Sequence, residues 1–331
     1  MLPISSKKPS SFRLSNVLRV VISLSLIAYC YYIIDIDIML LSLVDIDTKL
    51  LFIAFIINIV GTIFFKSAVV WVLISGVRRV SYSSIVLINL VLRFYTVILP
   101  RAAVAGIRWY KYKSLTDGRQ SLVLLSLEAV MTLFFLSLGA SFFLQFEEGG
   151  EINQLVRVSV YLLSFLLLLA FFVFFIYPKN IFVDFAIRLT HKIKVFAFAE
   201  RLIKTWVEVS EAFYLSGYKG WVVITFSALN YMFFLLSAYI LMLAMGMELS
   251  FFVVAWVRSL ILLLAHIPIS VAGLGIREVG FVAFFGLYAV SPEQAVAYAL
   301  VSFCLQLGIA VIGAVIELYN SLVGMGARNE G

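Results

Sequence analysis

The sequence predicts an all-α integral membrane protein. Three observations carry that prediction: composition, the length of the apolar runs, and the placement of charge. Of 331 residues, 63% are apolar and 13% charged, and mean hydropathy is +1.09. Soluble domains are nearer roughly half apolar and a quarter charged. An ordinary soluble globule, a disordered chain and a disulfide scaffold are thereby excluded. The 30 Phe and 16 Tyr suit lipid contact and membrane interfaces.

A span needs about 20 apolar residues. Six runs meet that requirement: 15–34, 51–75, 121–145, 155–177, 220–245 and 295–318. Two further apolar stretches, 84–99 and 251–290, are shorter or broken, and both run into proline, glycine and arginine. The basic stretch at the N-terminus leads into Val17–Ile34 with no small-residue cleavage site after it. It therefore reads as a first span and not as a cleaved signal.

Loop charge orients the chain. Basic residues gather in 1–19 (Lys7, Lys8, Arg13, Arg19), 76–83 (Arg78, Arg79), 101–119, 178–220 and the tail. The other loops carry Asp35, Asp37, Asp45, Asp47, Glu147, Glu148, Glu151, Glu248 and Glu293, with Lys49 as their single lysine. By the positive-inside rule both termini are cytoplasmic. The same rule accounts for the net charge of +7 without nucleic acid.

Parity then decides the odd stretches. Span 51–75 ends inside at Arg78–Arg79, and span 121–145 must start inside to reach Glu147 outside. Stretch 84–99 therefore begins and ends inside, as a re-entrant hairpin or a pair of broken helices. By the same logic 251–290 begins and ends outside. Each half reads span, span, hairpin, span, in opposite orientation, which is the pattern of an inverted-topology repeat. The expected repeats are 1–150, with a hairpin at about 84–119, and 151–331, with a hairpin at about 251–290. Segment 178–219 mixes apolar and charged positions and is expected to lie on the inner leaflet as amphipathic cytoplasmic helices.

The hairpins share a local pattern. One has Pro100 and then Val104-Ala-Gly106-Ile-Arg108; the other has Pro268 and then Val271-Ala-Gly273-Leu-Gly275-Ile-Arg277. Pro100, Gly106, Pro268, Gly273 and Gly275 are the expected breaks. A helix beginning after such a break exposes N–H groups, and an arginine in its first turn adds a guanidinium fork. Arg108 and Arg277, helped by Arg101 and Arg93, are therefore the expected holders of a phosphate. An ionisable residue at membrane depth needs a reason, because insertion scales charge about 2.5–3.5 kcal/mol for it. Glu128, Glu278 and Glu317 are expected to pair with the arginines, though proton carriage is open to Glu128 and Glu317. His266, beside Pro268, is expected to hydrogen-bond to the backbone. Lys66 and Arg258 read equally well as interface residues that snorkel.

Other chemistry finds little in the sequence. Cys30 and Cys304 lie inside apolar runs and argue for neither a disulfide nor a metal site. No metal or cofactor is expected. The sequence contains no G-x4-G-K-[ST], H-E-x-x-H, G-x-S-x-G or C-x-x-C. An enzyme is therefore not expected, nor is an ATP-driven pump. Asp35, Asp37, Asp45 and Asp47 could hold a divalent cation, although a solvated outer loop is the plainer reading.

Several stretches resemble one family. They are Trp71-Val-Leu-Ile-Ser-Gly76, the run from Leu99-Pro100 through Arg108 followed by Glu128, and His266-Ile-Pro-Ile-Ser-Val-Ala-Gly-Leu-Gly-Ile-Arg-Glu278 followed by Ser291-Pro-Glu-Gln-Ala295. They are similar to the lysylphosphatidylglycerol-synthase transmembrane region, or flippase-like domain, of bacteria and archaea. The resemblance implies transbilayer movement of a phosphate-bearing lipid, either an aminoacyl-phospholipid or a polyprenyl-phosphate-linked sugar. It also implies a prokaryotic cytoplasmic (inner) membrane, membrane lipids as partners, and a glycosyltransferase or lipid-modifying enzyme as a possible companion. Alternatives are a glycosyltransferase that uses lipid-linked sugars, or a non-transporting subunit of one. No soluble aminoacyl-transfer domain follows Glu317, so synthesis of an aminoacyl lipid is not expected.

Overall fold

The computed structural model describes residues 10–75, 79–99, 101–116, 118–147, 152–176, 218–267, 273 and 275–329, and these are helical throughout apart from their connections. Among them, four helices are long and apolar enough to cross a membrane: Thr48–Ser75, Leu124–Phe146, Gly220–Ala244 and Pro292–Leu322. These correspond to four of the six expected spans. At the position expected for the span 155–177 lies the helix Gln154–Ile176, which is not one of those four. The first expected span is helix α1 (Ser10–Ile33), followed after a bend of 83° by α2 (Ile36–Val44). Residues 178–217 of the expected amphipathic segment, and Pro100 and Pro268, lie outside the described residues.

The elbow between α1 and α2 has a local cause. Asp35 caps α2, its Oδ1 accepting the N–H of Asp37 at 2.9 Å and of Ile38 at 3.3 Å. Asp47 caps α3 (Thr48–Ser75) in the same way, through Lys49 and Leu50. Two of the four aspartates of this loop thus satisfy helix N-termini, which otherwise leave donors unpaired. Glu293 Oε1 accepts the Asp35 N–H at 3.3 Å and ties this elbow to the start of the last helix.

Helix α3 contains one turn of π-helix, Val60–Phe65. It lies where Gly61 meets α8 (Tyr218–Ala244): a Cβ there would come within 2.8 Å of Phe233 Cβ. Such turns release carbonyls from the regular ladder. The Thr62 carbonyl accepts from Arg93 at 3.2 Å. Helices α3 and α8 run antiparallel, with Asp47 N–H donating to the Ala244 carbonyl and Ser237 Oγ to the Ala54 carbonyl.

After α3 come α4 (Tyr82–Ile98) and α5 (Arg101–Lys113), separated by a break at Leu99 and residue 100. Tyr112 in α5 donates to Asn89 in α4, and Arg93 and Arg108 line one pocket a turn further on. The two helices therefore fold back on each other. Helix α4 also runs back along α3: Trp71 Nε1 donates to the Val80 carbonyl, and Asn89 Nδ2 to Ser67 Oγ. The pair thus opens at the end of the molecule where α3 stops and where α6 (Gly118–Phe143) starts.

A second pair opens at the other end. Helix α9 (Phe251–His266) starts with Phe251 edge-on to Phe143, and α10 (Ile276–Phe285) finishes near Tyr288. Trp256 Nε1 donates to Tyr288 Oη, which donates to Glu147 Oε2 at 2.8 Å. Glu147 also pairs at 2.7 Å with Arg157 of α7 (Gln154–Ile176). Gly273 and Gly275 precede α10 with φ of +80° and +82°, a region that side chains with a Cβ disfavour. Gly275 also has α1 pressed on it, since a Cβ would meet Leu26 Cβ at 2.5 Å. The breaks expected at Gly273 and Gly275 are therefore present.

The break expected at Gly106 is not. Gly106 lies within continuous α5, and a Cβ there would meet nothing within 4 Å. One glycine in a helix interior costs only about 1 kcal/mol, too little to interrupt it. Helix α5 instead begins at Arg101. Arg108 consequently sits in its third turn, not its first.

The main core lies among α6, α8, α9, α10 and the last helix, α11 (Pro292–Asn329). Phe281, Phe285 and Tyr298 pack tilted or edge-to-face at centroid distances of 5.0–5.3 Å, with Trp256 nearby. Outside this core Tyr32, Leu155, Leu162, Phe165, Val315 and Leu318 are exposed. An apolar outer surface of this kind suits lipid.

Candidate functional site

Glu128, deep in α6, gathers the cations of the first half. Its Oε1 lies 2.5 Å from Lys66 Nζ and 3.0 Å from Arg108 Nη1. Its Oε2 and Arg108 Nε are buried without a hydrogen-bond partner. Arg93 joins the group through the Thr62 carbonyl and makes no ion pair within 4 Å among the described residues. Three cations thus surround one carboxylate. Tyr112, Asn89 and Ser67 form a buried chain of 2.8 Å hydrogen bonds beneath them, which fixes α3, α4 and α5 together.

Lys66, Arg93 and Glu128 face a cavity of about 220 Å³. Its wall comes from both halves of the chain. The first half adds Asn58 and Thr62; the second adds Ser227, Asn230, Tyr231, His266 and Gln306. The volume is below the ~300–1,000 Å³ of a typical small-molecule site. It has room for a polar headgroup and not for a whole lipid.

The expected site residues fall into four places. Arg93 lines the cavity, while Arg108 stands behind it on Glu128. The side chain of Arg101 lies outside the described residues. Arg277, second residue of α10, lines a smaller pocket that shares Leu262 and Gln306 with the cavity. Glu278 does not hold Arg277 closely: the pair is 3.9 Å apart, and Glu278 Oε2 accepts the Gly275 N–H at 2.7 Å as a helix cap. Glu317 is remote from the cavity wall and pairs with Lys111 and Tyr95. His266 Nδ1 lies 2.7 Å from the Leu262 carbonyl while its ring faces the cavity.

Sequence reasoning weighed Lys66 and Arg258 evenly against snorkelling and did not assign them to the site. Lys66 is a member of the Glu128 cluster. Arg258 is 6% exposed, bonded to Ser302 Oγ at 3.0 Å and packed on the Phe234 ring. The available signal was position alone, since each lies well inside an apolar run. Position could not exclude snorkelling, because the partners lie in distant segments.

The apolar helices with exposed apolar faces, enclosing charged side chains, define a multi-pass helical membrane protein. The chain belongs to the family described as the lysylphosphatidylglycerol synthase TM region, whose model matches residues 16–313. Family membership connects it with membrane lipid. The chain matches no curated protein and no solved structure.

Proposed function

We propose that the protein moves an anionic, phosphate-bearing lipid across the bilayer, holding its headgroup in the cavity between the two halves. The carrying observation is the charge balance there. Lys66, Arg93 and Arg108 bring three positive charges to one carboxylate, Glu128, beside a cavity lined with amides and hydroxyls. A buried excess of positive charge is costly unless an anion offsets it. Arg93 offers a forked donor set suited to phosphate, and Lys66 a point charge. The unpartnered Glu128 Oε2 suits a donor on the same headgroup, such as an ammonium or a sugar hydroxyl. Aminoacyl-phospholipids and polyprenyl-phosphate sugars both have this chemistry.

In this reading the two helix pairs are re-entrant hairpins from opposite faces, related as an inverted repeat with both termini cytoplasmic in a prokaryotic inner membrane. Rocking of the halves about the cavity exposes the headgroup to each leaflet in turn. The protein acts as a carrier and not as an enzyme. A lipid-modifying enzyme or glycosyltransferase supplies or consumes its cargo. The glycosyltransferase reading gains nothing from the outer aspartates, since Asp35 and Asp47 serve as helix caps.

The test is leaflet transfer of a fluorescent anionic lipid in liposomes containing purified protein. Arg93→Ala is expected to abolish transfer, and Arg93→Lys to retain part of it, because lysine keeps the charge and loses the fork. Transfer by Arg93→Ala at the wild-type rate would remove the cavity from the mechanism.

A further inference from the structure

The second helix pair contains its own concentration of positive charge, separate from the Glu128 cluster. Arg258 in α9 and Arg277 in α10 line one small pocket together with Ser302 and Gln306 of α11. Both guanidiniums have a buried Nε without a hydrogen-bond partner. Arg258 is the more enclosed, 6% exposed, with no carboxylate within 4 Å among the described residues. Its contacts include Ser302 Oγ, the Tyr298 side chain, to which it also hydrogen-bonds, and the rings of Phe234 and Phe281. Arg277 lies over the Phe303 ring, with Glu278 at 3.9 Å.

Charge balance makes the pocket unusual. Aromatic faces offset a guanidinium only partly. Glu278 supplies one negative charge and already spends Oε2 on the Gly275 N–H. Among the described residues one positive charge is left over in a largely apolar surrounding. Arginine does not relieve it by losing a proton. A water molecule would satisfy donors without offsetting charge.

We infer that Arg258 and Arg277 bind a single small monovalent anion, with chloride as the physiological candidate, between the second hairpin and α11. The valence follows from the one uncompensated charge. The pocket is about 10 Å³, near the lower limit for one water, so a chloride ion, somewhat larger than water, enters only as the two guanidiniums open slightly around it. A tetrahedral phosphate is too large for it. The donors on hand are the Arg258 and Arg277 guanidiniums, at the N-terminal end of α10, whose dipole also favours negative charge. The bound anion sits where the three helices meet and offsets the repulsion between Arg258 of α9 and Arg277 of α10. It holds the second hairpin against α11 and one wall of the headgroup cavity, since Leu262 and Gln306 belong to both spaces.

Equilibrium dialysis of the purified full chain in detergent, using radiolabelled chloride in gluconate buffer, tests this. Saturable binding of one chloride per chain is expected, displaced by bromide and not by inorganic phosphate or a short-chain phosphatidate. Arg258→Gln removes the surplus charge and is expected to weaken binding about tenfold or more, or ~1.4 kcal/mol. Absence of saturable binding in the wild type overturns the proposal, as does unchanged binding by a folded Arg258→Gln protein. Displacement by phosphate or phosphatidate at lower concentration than by bromide also overturns it and makes the pocket part of the lipid site. If Arg258→Gln does not fold, the wild type still decides. Its unfolding temperature is expected to rise saturably when chloride replaces gluconate at constant ionic strength, and no rise overturns the proposal. Neither measurement involves lipid transfer, so their failure leaves the carrier reading standing, and the reverse also holds.

Discussion

Lys111 Nζ contacts both carboxylate oxygens of Glu317, at 2.8 and 3.0 Å, joining two helices through residues 206 apart in the chain. Tyr95 donates to Glu317 Oε1 at 2.8 Å, so both members of the first helix pair converge on one carboxylate of α11. Side-chain exposure of 29% for Lys111 and 20% for Glu317 keeps some solvent screening in place. A double-mutant cycle with Lys111→Met and Glu317→Gln is expected to give a coupling of about 1 kcal/mol. Thermal or denaturant unfolding of the four proteins in detergent measures it. Coupling of zero would mean that the three groups do not clamp the pair to α11.

Two glycines in helices should respond oppositely to alanine. At Gly106 an added Cβ meets nothing within 4 Å. Gly106→Ala is expected to stabilise by ~0.4–1 kcal/mol, because alanine narrows the unfolded ensemble and fits the helix. At Gly313 the added Cβ runs into the Leu90 carbonyl oxygen, which is backbone and cannot swing aside. Gly313→Ala is expected to cost ~1–3 kcal/mol by forcing α4 and α11 apart. Unfolding curves of the two variants check this, and the α4–α11 approach fails as described if both shift the same way.

Sequence alone located what depends on local quantities. Four apolar runs of spanning length appear as helices of spanning length, because twenty apolar residues in a row have few other outcomes. Gly273 and Gly275 read correctly as a break because two glycines of positive φ punctuate strongly. Gly106 did not, since a lone glycine weakens a helix without ending it. Pairing of Glu128 with Arg108 was legible as chemistry, because a buried carboxylate and a buried guanidinium need each other. The third member, Lys66, was not, because nothing in its own segment names a partner 62 residues on. The cavity could not be read at all. It exists only where α3, α4, α6, α8, α9 and α11 converge, and no local pattern encodes convergence.

Orientation is open to cysteine labelling. In a background with Cys30→Ala and Cys304→Ala, single cysteines replace Lys113 and Asn153, both exposed. Asn153 adjoins α7 at the Glu147 end, and Lys113 ends α5 at the other. A membrane-impermeant maleimide added to intact cells is expected to reach position 153, and position 113 only after permeabilisation. Labelling of 113 alone in intact cells inverts the topology, and labelling of both means that α6 does not cross the membrane.

The last prediction concerns the Glu128 cluster and separates structure from transport. Glu128 holds two cations through Oε1, while Lys66 and Arg108 each have Glu128 as their ion-pair partner. Removing the carboxylate should therefore hurt more than removing either cation. Glu128→Gln leaves Lys66, Arg93 and Arg108 facing one another with no counter-charge and is expected to cost ~3–5 kcal/mol. Lys66→Met leaves Glu128 paired with Arg108, shortens nothing in the core and removes one of the excess charges. It is expected to change stability by less than ~1.5 kcal/mol, as a volume-conserving exchange does. Transfer should behave differently from stability. Lys66→Met removes a cation that faces the cavity, so leaflet transfer of anionic lipid is expected to fall sharply in a protein that unfolds near the wild-type temperature. Detergent unfolding and liposome transfer, run on the same preparations, check both halves. If Lys66→Met transfers lipid normally, the lysine is there only to neutralise Glu128; if Glu128→Gln unfolds no earlier than Lys66→Met, the carboxylate is not the hub of the cluster.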